Sequence, residues 1–393
     1  MFDLAPDHPF GITALPYGIF SVGGGPRRVG VRYGGYVLDA CAVARRLRWS
    51  YADLLAGPVL NPLMAAGPDV WAAVRADLRD WLVADPDPAL FTPLRDVDLH
   101  LPVEVADYVD FYAAEQHAVN AGRIFRPDGP ALPPNWKHLP LGYHGRAGTV
   151  VVSGTPVTRP VGQFRDPDPV FGPTRRLDFE AEVGFVVGVP TAPGERVAVA
   201  DFDAHVFGVV LVNDWSARDI QRWETAPLGP FLGKSFATSI SAWVLPLAAL
   251  DHARVAPPAR DMPVLPYLSD DARAGLDIAL TVTLAGHVIT RPPFGVMYWT
   301  PAQQLAHLTV NGASLRTGDL FASGTVSGPD RDQWGSLLEL SWNGRDPLTL
   351  PGGERRTFLA DGDEVVITAT APGPDGGRVG LGEVRGTVAP ART

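Results

Sequence analysis

Glycine and proline punctuate this chain from end to end: 42 glycines and 39 prolines are spread along 393 residues with no single low-complexity tract. Residues that demand turns at such short intervals favour short strands joined by tight connections. Apolar runs around IFSV, VGVRY and YVLDA fall between Gly18 and Ala40, separated by Gly23-Gly24-Gly25 and by Gly34-Gly35, and the second pair reads as a tight hairpin. Leu276 to Ile289 alternates like an antiparallel strand with a turn at Gly286. Further strands are expected around Leu320, from Leu337 to Trp342 and from Glu364 to Ala369, while the proline-rich stretch Pro257 to Tyr267 reads as a surface excursion. Helices are expected from Ala40 to Leu47 and from Pro68 to Ala84, where Trp71, Val74, Leu78, Trp81 and Leu82 recur at helical spacing behind a first-turn proline. Another is expected from Pro301 to Leu308, capped by Thr300. Asp85-Pro86-Asp87-Pro88 marks a boundary, giving a small N-terminal domain over residues 1–97 and a large β-rich domain over residues 98–393.

Charge and cysteine content narrow the partners. The formal net charge is −10, from 33 basic and 43 acidic residues, and no basic cluster stands out, which argues against nucleic acid and anionic membranes. Cys41 is the only cysteine, so an intrachain disulfide framework and a multi-cysteine zinc or iron–sulfur site are excluded. The first residues, MFDLAPDHPFGITALPYG, carry acids and early prolines without an apolar core, unlike a signal peptide. No run approaches the roughly 18 apolar residues of a membrane span. The expectation is a soluble cytoplasmic protein.

The residues that do chemistry concentrate in Val210 to Ser239. An apolar strand from Val206 to Val212 breaks at Asn213-Asp214 into an expected helical turn, which places Arg218 and Gln221 on faces neighbouring Asp214. The turn Pro227-Leu228-Gly229-Pro230 then leads to Lys234 and Thr238. Taken alone, this stretch reads equally well as a solvated surface helix and loop.

In LDFEAEVGFVVG, Glu180 and Glu182 are two apart and share one face of a strand, at a separation of about 7 Å. With Asp110 and Asp214 they make four carboxylates set among apolar neighbours. Burying several like charges costs several kcal/mol each unless a cation or hydrogen bonds compensate. An oxygen-bound divalent ion meets that need, and the donor set favours calcium, magnesium or manganese over zinc. The alternative is that each acid caps a turn or pairs with an arginine. His117 opens an expected helix, AAEQHAVNAGRIF, and could act as a general base if a carboxylate holds its other nitrogen. Glu339, in the expected strand LLELSW, could be that carboxylate; taken without context, each is more often a satisfied structural residue.

These strings resemble the fumarylacetoacetate hydrolase family. The similar segments are DYVDFY with EQH, NWKHLPLGYHGR, LDFEAEVGF, NDWSARDIQRWE with PLGPFLGKSFATS, MYWT with QQLAHLTVNG, GDLFASGTVSGP and LLELSWNG, spanning roughly residues 100–385. The resemblance implies a mainly β protein, with a small SH3-like N-terminal barrel followed by a large mixed β-roll domain of the fumarylacetoacetase type, paired as a homodimer. It implies calcium and/or magnesium held by Asp110, Glu180, Glu182 and Asp214, with Lys234 and Thr238 near the ion. It further implies His117 as general base, Glu339 as the acid that orients it, and Arg218, Gln221 and Lys234 as oxyanion donors. Tyr112, Arg126, Tyr143, Gln221 and Thr325 are the implied contacts to a small diketo-acid substrate.

The implied reaction is hydrolysis of 4-fumarylacetoacetate to fumarate and acetoacetate, the last step of tyrosine and phenylalanine catabolism. One position departs from the family's pattern: the tyrosine that usually follows the Trp-Glu pair is Thr225 here. That leaves a related acylpyruvate or diketo-acid hydrolase as one alternative, and a keto-acid decarboxylase or isomerase on the same fold as another.

Overall fold

The computed structural model describes residues 4, 5, 7–84, 86–270 and 274–392; Met1–Asp3 of the N-terminal stretch and Asp85 of the expected boundary lie outside them. Strands β1 (Tyr17–Ser21), β2 (Arg28–Tyr33) and β3 (Tyr36–Asp39) form a meander. Tyr33 pairs with Tyr36 across the expected hairpin, where Gly34 adopts φ +57°. Helix α1 (Ala40–Arg46) follows, its first turn capped by Asp39, and α2 (Pro68–Ala84) fills the expected span. Val74, Leu78 and Leu82 of α2 are buried, as a stripe at i, i+4 and i+8 must be when one helix face meets a core. Strands β4 (Phe91–Pro93) and β5 (Asp98–His100) pair with β3 and β1 and complete the N-terminal unit.

The larger unit contributes β6 (Tyr108–Phe111), α3 (Glu115–Phe125), β7 (Gly142–His144), β8 (Val150–Val152), β9 (Ala181–Val187) and β10 (Val206–Asp214). It continues with α4 (Arg218–Glu224), β11 (Thr238–Ile240), β12 (Trp243–Pro246), α5 (Pro301–Thr309), β13 (Leu320–Ala322) and α6 (Leu337–Leu340). One sheet runs through both units in the order β4-β3-β2-β1-β12-β10-β9-β13-β6-β7, with β11 beside β10 and β8. A second sheet pairs His287–Thr290, Ala279–Leu284, Glu364–Pro372, Arg378–Ala389 and Val157–Thr158 in that order. The hairpin expected at Gly286 is present, and α5 carries the expected Thr300 cap together with Gln303 in a reciprocal capping box.

Strand β10 carries the sheet into the interior where the polar residues sit. All nine of its residues are buried, so both of its faces are covered. Val209 and Leu211 point into a core with Phe185, Trp299 and Phe321, while Val210 and Val212 point into one shared with Val31, Val74 and Leu78 of the N-terminal unit. Each such side chain contributes about 1.5–3 kcal/mol on burial.

Three sequence expectations are corrected. The strand expected through LDFEAEVGFVVG is interrupted: Leu177–Asp178 pairs with Ser216–Ala217, Phe179 and Glu180 fall outside the ladder, and β9 begins only at Ala181. Leu337 to Trp342 does not form a strand: Leu337–Leu340 is a short helix, with Ser336 as N-cap. A four-residue buried apolar run has no periodicity that separates strand from helix. Asp214 also does not share a helix with Arg218 and Gln221. The β10 ladder extends through Asp214, which pairs with Thr238 of β11, and the helix starts only at Arg218.

Candidate active site

Strand ends deliver four acids to one point. Asp110 comes from β6, Glu182 from β9, Asp214 from the last position of β10, and Glu180 from the residue just before β9, bridged to Ser336. Each of the four offers an oxygen, and those oxygens lie within 4.8 Å of one another, with all four residues buried. Glu180 and Glu182 thus face one point as expected, although Glu180 is held by an isolated bridge to Ser336 and not by the strand that carries Glu182.

Cations enclose one side of the cluster. Lys234 Nζ donates to Glu180 Oε2 at 2.5 Å and also to Asp214 Oδ2. Arg218 lies 2.7 Å from Glu180 Oε1, and Thr238 Oγ1 donates to Asp214 Oδ1 at 3.3 Å. Burial and the neighbouring Asp214 charge push Asp110 well above the usual carboxylate range. Burial and Asp110 do the same to Glu182. Asp214 is also raised by burial, against the pull of Lys234. For Glu180 burial is outweighed by Lys234 and Arg218, which hold it below its ordinary value. Asp110 Oδ1 and Glu182 Oε1 are buried without a hydrogen-bond partner. Unpartnered carboxyl oxygens on acids crowded this closely are unfavourable in a bare protein and suit an oxygen-seeking divalent ion. The donor set thus fits a metal.

A cavity of about 440 Å³ opens beside the cluster. Its wall includes Asp110, Tyr112, His117, Arg126, Tyr143, Glu180, Arg218, Gln221, Lys234 and Thr325. Glu182 and Glu339, the other expected site residues, are not part of that wall, and Asp214 and Thr238 border a second cavity of about 130 Å³ together with Tyr143 and Lys234. Thr325 Oγ1 is buried and unpartnered, and Gln221 Oε1 accepts from Arg218 at 3.2 Å. Thr225, the position that departs from the family's pattern, also borders the cavity, its hydroxyl donating to the Gln221 carbonyl at 2.5 Å.

His117 sits in the first turn of α3, where its Nδ1 meets Glu339 Oε2 at 2.8 Å. Tyr112 packs edge-on against the imidazole. Glu339 has 0% exposure, yet its charge is well supported. Burial works against it, but His117, Asn120 and Ser336 hold its carboxyl below the usual range. Asn120 Nδ2 donates to Oε1 at 2.9 Å, and the Ser327 and Ser336 hydroxyls each donate to Oε2 at 2.9 Å. A carboxylate so held fixes the Nδ1–H tautomer and leaves Nε2 as the accepting nitrogen.

Sequence reasoning missed Asn120, Ser327, Ser336 and Asp178. Asn120 lies three residues after His117 on one helix face, and Ser336 lies three before Glu339 at cap spacing, so both signals were present. Gly324 was also missed. It adopts φ +75°, a Cβ there would run into the Phe111 carbonyl, and its N–H donates to Glu182 Oε2 at 3.1 Å. Gly324→Ala is expected to lower stability by at least about 1–2 kcal/mol from the left-handed backbone alone. Chemical denaturation checks this, and an unchanged midpoint would show that the loop relaxes freely.

The sequence matches two family descriptions: "Fumarylacetoacetase N-terminal" over residues 13–102 and "Fumarylacetoacetate (FAA) hydrolase C-terminal" over residues 107–389. Fumarylacetoacetase of Homo sapiens is 46% identical, covering 99% of this chain and 98% of that protein. Among solved structures, a fumarylacetoacetate hydrolase from Exiguobacterium antarcticum superposes with TM-score 0.57 at 18% identity, over 96% of this chain and 100% of that one. Maleylpyruvate hydrolase from Sphingobium sp. SYK-6, in complex with manganese(II) and pyruvate, gives TM-score 0.55 at 15% identity over the same shares. At those identities the two structures speak to the fold.

Proposed function

The chain belongs to the fumarylacetoacetase family, and from that premise we propose that it hydrolyses the carbon–carbon bond of 4-fumarylacetoacetate, releasing fumarate and acetoacetate as the last step of tyrosine and phenylalanine catabolism. The observation that carries the reading is that the His117–Glu339 pair and the acidic cluster serve one cavity. Asp110, Glu180, Glu182 and Asp214 would hold a hard divalent ion, calcium or magnesium, which supplies Lewis-acid stabilisation of enolate oxygen when bound. The manganese in maleylpyruvate hydrolase belongs to the same hard class.

The chain's own residues do the rest. His117 Nε2 takes a proton from water as the water oxygen attacks one carbonyl carbon, and the imidazolium is stabilised by ionised Glu339. Arg218, Gln221 and Lys234 donate to the alkoxide that develops, where losing one donor in comparable sites costs about 2.7–4 kcal/mol. The carbon–carbon bond then breaks, and His117 returns the proton to the departing carbon. Tyr112, Arg126, Tyr143 and Thr325 contact the substrate's ends. A decarboxylase has no use for activated water, so the imidazole–carboxylate pair favours hydrolysis over that alternative.

Loss of the conjugated diketone's absorbance tests the function. Turnover is expected with calcium or magnesium present and is expected to stop on chelation. No absorbance loss with either ion would overturn the assignment. Restoring the aromatic hydroxyl by Thr225→Tyr is expected to lower KM for fumarylacetoacetate about fivefold, the worth of one hydrogen bond of about 1 kcal/mol. If the substitution instead favoured a shorter acylpyruvate, the diketo-acid alternative would gain.

The pairing into a homodimer has support from the loop that borders the cavity. Leu228, Phe231 and Leu232 are exposed there, with Leu228 at 96%, and a second subunit would cover them. Sedimentation of the purified protein at twice the chain mass is the expected result.

A further inference from the structure

The guanidinium of Arg218 and the carboxylate of Glu339 come from parts of the chain far apart in sequence, and one buried side chain holds the guanidinium together with the start of the helix that carries Glu339. Asp178 has 0% exposure. Its Oδ2 accepts from Arg218 Nε at 2.9 Å and from the Leu338 N–H at 3.0 Å. Its Oδ1 accepts from the Leu337 N–H at 2.8 Å and from the Phe179 N–H at 2.8 Å. Leu337 and Leu338 open α6, the helix that carries Glu339. The backbone reinforces the arrangement: Asp178 pairs with Ser216, and Arg218 N–H donates to the Arg176 carbonyl at 3.0 Å.

We propose that Asp178 is a positioning residue for the reaction, its carboxylate setting the Arg218 guanidinium and the Glu339 helix in one fixed relation. The proposal rests on the reading in which Arg218 stabilises the alkoxide and Glu339 orients His117. Four donors converge on Asp178, and only a carboxylate offers acceptors on both oxygens to receive them. An asparagine would turn an NH2 group against two of those donors. Arg218 also sits against Glu180, a candidate metal ligand. Without its anchor at Asp178, the guanidinium is drawn toward the acidic cluster and away from the alkoxide position, while the helix start loses two of its four N–H acceptors.

Steady-state kinetics on Asp178→Asn, Arg218→Met and Glu339→Gln, and on the two doubles containing Asp178→Asn, test this. Rates are referred to the folded fraction measured by near-ultraviolet circular dichroism. Asp178→Asn is expected to lower kcat about 10- to 100-fold, the range for losing hydrogen bonds to a charged group, with KM within about threefold. Each double is expected to run at least about fivefold faster than the product of its single effects, because the residues act as a unit. A residue that merely supports the fold would lower the melting temperature and the folded fraction, leaving kcat per folded molecule near wild type. That result, or full multiplication of losses in both doubles, overturns the proposal. If the asparagine variant does not accumulate in folded form, Asp178→Glu, which keeps the charge, carries the same cycles and the same criteria. Wild-type turnover in Arg218→Met and Glu339→Gln would instead sink the functional reading itself, whereas slow singles beside a fast Asp178→Asn would sink only this inference.

Discussion

Replacing His117 with alanine is expected to lower kcat about 10²- to 10⁴-fold, the usual worth of a positioned general base, while KM for fumarylacetoacetate stays within about threefold. The imidazole lies at the cavity wall with its Nδ1 committed to Glu339, so under the proposed mechanism its loss removes the acceptor for the water proton and leaves the proposed substrate contacts in place. The fold should tolerate the change. Glu339 keeps its bonds from Asn120, Ser327 and Ser336, so no bare buried charge is left behind. Single-turnover measurements separate the chemical step from product release. An alanine variant that turns over within about threefold of wild type would remove imidazole from the mechanism.

The contrast between His117 and Glu339 shows what could be read from the sequence. The helix around His117 was legible because AAEQHAVNAGRIF is long enough to show its period, and it forms α3. The segment around Glu339 reads as a strand by pattern because so short an apolar stretch carries no period, and only the cap at Ser336 signals the helix that forms. The contact expected between Glu339 and His117 is present all the same, because the side chain reaches His117 from a helix start as well as it could from a strand.

The run LDFEAEV holds a similar lesson. Alternation places Asp178, Glu180 and Glu182 at every second position, so the first of the three acids was as visible as the others. Its partners were not, because the N–H groups of Leu337 and Leu338 lie about 160 residues away in sequence and pattern gives no distance between segments. For Asp214 the pattern ends the strand two residues early, at Val212, whereas the ladder runs on through Asp214. Asn213 and Asp214 are poor strand formers by propensity, but the ladder to Ala181 and Thr238 overrides that preference.

Replacing Glu182 with glutamine is expected to abolish the rise in melting temperature caused by calcium or magnesium, and to raise the melting temperature of the metal-free protein above pH 7. The two effects have opposite signs and one origin. In the metal-free chain Asp110, Glu182 and Asp214 hold their protons above the values of about 3.9–4.3 that they have when unfolded. The folded state therefore binds more protons than the unfolded state across that window, and stability is lost as pH rises through the raised values. Glu180, held low by Lys234 and Arg218, works the other way, its contribution being lost as pH falls. Divalent charge removes the penalty on the three raised acids, so ion-induced stabilisation should grow with pH, reaching about 2.7 kcal/mol at a hundredfold excess over Kd. Glutamine keeps an acceptor for the Gly324 N–H but removes one repelled charge, which relieves the metal-free protein and deprives the ion of a ligand. Titration calorimetry should show affinity falling at least about 100-fold. Undiminished binding in this variant would remove Glu182 from the ligand set, and a pH-independent ion effect would mean that the four carboxylates are satisfied by Lys234 and Arg218 alone.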